Sequence, residues 1–166
     1  MMKRWNTPLI VLWLWVLAVT ILMGGGIFEH LVLTPLWAGS PPESVTQWQY
    51  GVVQAKFFGL VSPLCFLLSL ALIIVSWWMP RQQRKWALVA GTSMLLLGVA
   101  TFSFFLPILH KTQATRGAGL SGEEITSLVN QFKTGNWVRW LLSIGGWAAG
   151  WRALSLSRSA ESKEAG

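Results

Sequence analysis

Gly24-Gly25-Gly26-Ile27-Phe28-Glu29-His30 closes a run, Thr7 to Ile27, that carries no charged residue. A run of that length is enough to cross the hydrocarbon of a bilayer as a helix. It then meets an acid and a histidine side by side, before the chain turns apolar again through Leu31-Val32-Leu33 to Pro35 and Trp37. Ionisable groups at the edge of a span are costly to place, so they ask for a partner or a task.

Outward from this stretch, three more apolar runs follow, and spans are expected at about 7–30, 57–79, 86–109 and 137–156. Of the 166 residues, 53% are hydrophobic and 11% charged, against about 25% charged in soluble domains. The expectation is an all-α integral membrane four-helix bundle, one domain over residues 1–156, with a short extra outer helix before the last span and a polar, disordered tail at 157–166. Lys3 and Arg4 ahead of the first run imitate a signal peptide. The run is longer than a signal core and lacks a small-residue cleavage site, so it reads as a retained span. Helical continuation to Trp37 would make it longer than the hydrocarbon is thick, so it must tilt or project.

The triple glycine is a bend or a close-packing point. Pro63 falls inside span two, and Pro107 near the end of span three. Ser121 with Glu123 and Glu124 marks the start of the short outer helix, and Leu128, Val129 and Phe132 give that helix an apolar side. Span four is interrupted by Arg139 and Arg152, both near its ends, where long basic side chains snorkel.

The formal charge of +7 does not indicate nucleic acid, because the basic residues sit at span ends and not in one patch. Eight Lys and Arg fall on the side of the termini and five on the other. That imbalance places both termini in the cytoplasm, across a bacterial-type inner (plasma) membrane. The single cysteine, Cys65, excludes an internal disulfide. Gly146 and Gly150 form a GxxxG pair, and Gly91 with Gly98 and Ser62 with Ser69 repeat at about two turns; bundle packing is the plainest use of all three. Many of the 12 tryptophans lie near span ends (Trp5, Trp37, Trp77, Trp78, Trp86, Trp137), as in an interfacial belt.

With both termini inside, Glu29, His30, Lys56, His110, Asn136 and Arg139 come to similar depth near the outer face, from all four spans. Asn136 and Arg139 share a helix face, which Ser143 continues. Glu29 has Arg139 or Lys56 as a partner. The candidate catalytic set is Glu29, His30, Asn136 and Arg139. His30 and His110 are the candidate metal ligands, for a single iron or copper ion if any cofactor is bound. There is no HExxH, no CxxC and no phosphate-binding glycine loop, and the chain contains no Asp, which removes a Ser-His-Asp triad.

Three short motifs in order resemble the anthrone oxygenase-like integral membrane family: Gly26-Ile27-Phe28-Glu29 with Pro35 and Trp37, Phe104-Phe105-Leu106-Pro107-Ile108, and Asn136-Trp137-Val138-Arg139. The resemblance spans roughly Leu17 to Leu156. It implies a small four-helix membrane protein, some relatives of which oxidise anthrones to anthraquinones with molecular oxygen, while much of the family has no assigned activity. Phe132 stands where the family carries an aromatic residue, often Trp, and departs from the Trp.

Two functions from different classes follow. One is an oxygenase acting on an apolar, phenolic or quinone-like small molecule, with Glu29 or His30 as base and Arg139 and Asn136 stabilising an oxyanion. The other is a non-enzymatic membrane subunit, homo-oligomeric or bound to a partner in a complex, that uses the GxxxG pair and the outer helix as contact surfaces. A transporter ranks below both, since four spans without an inverted repeat are few for alternating access. A cavity around the polar cluster would favour the enzyme.

Overall fold

The computed structural model describes residues 7–48 and 52–164. Lys3, Arg4 and Trp5 lie outside the described residues, as do the last two residues of the tail. The fold is all-α, with no strand among the described residues. Its elements are α1 (Thr7–Ala38), α2 (Glu43–Gln47), α3 (Val52–Ser76), α4 (Arg81–Gln113) and α5 (Gly122–Glu164). The long helices contact one another in a ring: α1 with α3, α3 with α4, α4 with α5, and α5 with α1.

Three segments are long and apolar enough to cross a membrane: Thr7–Ala38, Lys56–Ser76 and Arg81–Gln113. Leu17, Leu60, Leu67 and Leu141 point outward and are more than half exposed, as suits surfaces in contact with acyl chains. No stretch of α5 has that apolar character, because Arg139, Arg152 and its glycines and tryptophans dilute it.

The first span runs on past residue 30 to Ala38, and the third begins at Arg81 and ends at Gln113. At 1.5 Å per residue each is about 50 Å long and outreaches a hydrocarbon layer of about 30 Å. The excess of α1 and α4 packs with α2 and the start of α5 into a second, smaller core of Trp37, Val45, Phe105, Ile108, Ile125, Val129 and Phe132. Trp37 is therefore fully buried and not part of a belt; Trp77, Trp78, Trp86 and Trp137 are exposed as a belt requires. The sequence reading missed this core because it credited the end of α1 with lipid contact.

The short outer helix and span four are one helix of 43 residues. Ser121 caps it as expected: Glu124 N donates to Ser121 Oγ at 3.2 Å and Ser121 N to Glu124 Oε2 at 2.7 Å. Those bonds hold the Glu124 carboxyl below the usual carboxylate range. Gly135 does not break the helix, because its bare backbone lies against the Phe104 and Phe105 rings. The same helix extends through the polar tail to Glu164, where disorder was expected.

The main core joins the four long helices through Leu12, Trp15, Val19, Leu72, Ala90, Met94 and Ala153. Trp15, fully buried, donates from Nε1 to Ser69 Oγ at 2.8 Å. Small residues set the close approaches. A Cβ on Gly25 would strike the Phe57 ring, one on Gly146 would lie 3.1 Å from Ser93, and one on Gly150 would strike Trp15. The GxxxG pair is thus consumed inside the chain and is not a contact surface for a partner.

Candidate functional site

Two prolines shape the site. Pro35 and Pro107 lack the N–H that would bond four residues back, and their rings crowd the carbonyl there. Just before each, the helix widens into a π turn: Glu29–Leu33, closed by Thr34 N to Glu29 O, and Thr101–Phe105, closed by Leu106 N to Thr101 O. Such turns insert a residue and re-aim the side chains around them. Glu29 and Phe105, at opposite ends of their respective turns, are both buried.

Both turns border a cavity of about 450 Å³. Most of its wall is apolar, from Leu22, Met23, Phe58, Phe66, Phe102 and Phe105. One side is polar: Glu29 and His30 from α1 face Asn136, Arg139 and Ser143 from α5. Glu29 Oε2 lies 3.8 Å from Arg139 Nη2. Arg139 Nη1 donates to Asn136 Oδ1 at 3.3 Å, and the guanidinium sits 4.9 Å from the centre of the Phe105 ring. Asn136 Nδ2 approaches His30 Nδ1 at 3.5 Å, and the His30 ring meets Trp140 edge-on at 5.7 Å. Ser143 Oγ donates to the Arg139 carbonyl at 2.8 Å.

The four candidate catalytic residues are therefore brought to one wall, by α1 and α5, but the wider cluster expected from all four spans does not assemble. Lys56 and His110 are both exposed and neither lines the cavity. Glu29 takes Arg139 as its partner, and Lys56 is left to the surface. Sequence depth placed these residues at one level; it carried no angular information around the bundle, and that is where Lys56 and His110 separate from the rest. Among the described residues no group of three or more His, Cys, Asp or Glu could hold a metal ion. In the cavity, His30 has only Glu29 beside it as an acidic or imidazole donor, too few for an iron or copper shell built from this chain.

Phe66 and Phe102 had no signal beyond their place in spans; Phe105 lay in the motif Phe104-Phe105-Leu106-Pro107-Ile108, and the π turns had a signal of their own, the proline two residues beyond each. A broader groove of about 1220 Å³ lies open on the surface around Pro42, Ser121 and Thr126; among the described residues its one ionisable lining residue is Glu123, which makes the smaller cavity the better candidate site.

The arrangement combines a carboxylate, an imidazole, a guanidinium and an amide at one end of an apolar chamber. It can accept a flat aromatic body, hydrogen-bond an oxygen on it, and move a proton between that oxygen or a neighbouring carbon and Glu29 or His30. No family model, no curated protein and no solved structure matches this chain.

Proposed function

We propose that the chain is a four-span membrane protein, both termini in the cytoplasm of a bacterial-type inner membrane, that binds a flat apolar phenolic or quinone-like molecule and oxidises it. One observation carries this reading: Glu29, His30, Asn136 and Arg139 share one wall of an otherwise apolar cavity. α5 would be the fourth span, its Arg139 neutralised by Glu29 inside the bundle and its Arg152 near the cytoplasmic end.

In this mechanism Glu29 or His30 removes a proton from an activated C–H flanked by aromatic rings. Arg139 and Asn136 hold the oxygen onto which the negative charge spreads. The electron-rich carbon then reacts with molecular oxygen: the CH₂ becomes C=O, one oxygen atom is retained and the other leaves as water. No step here runs through a metal. The order of motifs that resembles the anthrone oxygenase-like family points to the same chemistry.

The alternative is a non-enzymatic membrane subunit in which the Glu29–Arg139 pair, 3.8 Å apart, only locks α5 to α1. Oxygen uptake by the purified protein with anthrone as substrate separates the two. Turnover in the wild type that is lost in Glu29→Gln and His30→Ala, with both variants folded, is the expected result. Absence of uptake in the wild type, or undiminished uptake in both variants, would refute the oxygenase. Metal analysis and an absorption spectrum of the same preparation decide whether iron, copper or haem is bound.

A further inference from the structure

α3 and α4 run antiparallel and are drawn together by glycines. A Cβ on Gly91 would lie 2.7 Å from Ile73 and 3.2 Å from the Ser69 carbonyl; one on Gly98 would lie 3.0 Å from the Phe66 ring. Continued in the same register, this contact would set Gly59 opposite Phe104 and Phe105. It does not continue: a Cβ on Gly59 would meet nothing within 4 Å. The π turn at Thr101–Phe105 intervenes, and beyond it α4 has at most marginal contact with α3.

The cavity reaches the surface at this parting. Gly59, Pro63, Phe102 and Leu106 line it and are exposed; all four are apolar and all lie on segments long and apolar enough to span a membrane. The opposite edge, between α1 and α5, is polar instead: Glu29 pairs with Arg139, and His30, itself exposed, reaches Asn136 and Trp140.

We propose that the cavity opens sideways into the bilayer between α3 and α4, with Gly59 keeping the mouth clear. Its ligand enters from the lipid: a flat apolar molecule with one hydrogen-bonding oxygen that ends on the Arg139 wall, a ligand class that rests on the function proposed above. An aromatic solute already dissolved among acyl chains passes this rim without exchanging water for hydrocarbon. A charged solute would have to shed its hydration first. Any side chain at position 59 would project into the opening.

The lone cysteine supplies the test, because Cys65 is buried in the fold and lines the cavity. The full chain is reconstituted in phosphatidylcholine vesicles and exposed either to N-phenylmaleimide, which dissolves in the bilayer, or to a sulfonated, membrane-impermeant maleimide. Adduct formation is followed by mass spectrometry. The apolar reagent is expected to label Cys65 and the impermeant one to lag behind it. Gly59→Trp should slow the apolar reagent about tenfold or more, equivalent to a barrier raised by about 1.4 kcal/mol. Gly145→Trp, at another helix position with open space for a Cβ and outside the cavity, should leave the rate unchanged. If Gly59→Trp does not fold, Phe102→Ala widens the same rim and should speed labelling. Faster labelling by the impermeant reagent, or equal rates in the wild type and the rim variants, would overturn the lateral mouth.

The ligand class is read separately, by binding of 1-hydroxypyrene against pyrene in the same vesicles. A preference for the hydroxyl of about tenfold, lost in Arg139→Met, is expected from a hydrogen bond to a charged group. Equal binding of the two would sink the polar-wall function while the Cys65 rates still decide the mouth.

Discussion

Glu29→Gln should destabilise this protein more than Arg139→Met, although each removes one partner of the same ion pair. The two side chains are 9% and 20% exposed and their charged atoms are 3.8 Å apart. At that separation the attraction is about 4 kcal/mol for an effective dielectric of about 20, opposed by the desolvation of both ions. Removing Glu29 leaves a guanidinium in a mostly apolar chamber, and a guanidinium cannot give up its charge by releasing a proton. Breaking a buried pair in this way costs about 3 kcal/mol or more. The Phe105 face, the Asn136 carbonyl and the residual exposure of Arg139 recover part of that. Removing Arg139 leaves a carboxylate, which can bind a proton and become neutral, so its cost is smaller. The double variant Glu29→Gln/Arg139→Met should be more stable than Glu29→Gln alone, with a coupling of about 1–3 kcal/mol. Equilibrium unfolding of the four proteins in one detergent, closed as a double-mutant cycle, measures it. A Glu29→Gln variant as stable as the wild type, or a coupling indistinguishable from zero, would refute the pairing and remove the physical reason for an acid at that depth.

Ser69→Ala should destabilise by about 1–3 kcal/mol, because it strands the buried Trp15 Nε1–H; near-UV circular dichroism with thermal unfolding reads both the loss and the change around Trp15. Gly150→Ala should cost about 1–3 kcal/mol, since the new methyl has to displace the fully buried Trp15 ring. Gly145→Ala, with open space around it, should be neutral or gain up to about 1 kcal/mol of helix propensity. The cap at the start of α5 should loosen in acid. The Glu124 carboxyl is held below its ordinary range by Ser121, so this contribution is present above the unfolded pKa and is lost as pH falls through the lower folded one. Amide exchange at Ser121 and Glu124 should rise over that interval beyond the intrinsic pH trend, and Glu124→Gln, which removes the titrating carboxyl, should abolish the excess.

Much of this architecture is legible in the chain itself. An uncharged run from Thr7 to Ile27 and the apolar stretches after Lys56 and Lys85 require helices, because a backbone in hydrocarbon must satisfy its own hydrogen bonds. The cap at Ser121 follows from the side-chain oxygen that Ser places over free N–H groups. The i, i+3 spacing of Asn136 and Arg139 fixes their common face, and the hydrogen bond between them follows. The length of the helix that holds them was not legible: a short outer helix and a separate span from about residue 137 were expected, and the two join through Gly135, whose bare backbone packs against the Phe104 and Phe105 rings.

Sequence by itself determined the apolar helices and the need for Glu29 to find a cation, since both follow from hydrophobic run length and the cost of charge near lipid. Only the tertiary structure decided which residues at one depth meet. Rotation about each helix axis, reset on α1 and α4 by the π turns ahead of Pro35 and Pro107, sets Glu29 against Arg139 and leaves Lys56 and His110 outside the cavity. It also decided where the bundle is closed and where it is open. Glycines on α4 hold α3 close up to Gly98, and past that point no packing partner faces Gly59, so a chamber remains between the helices.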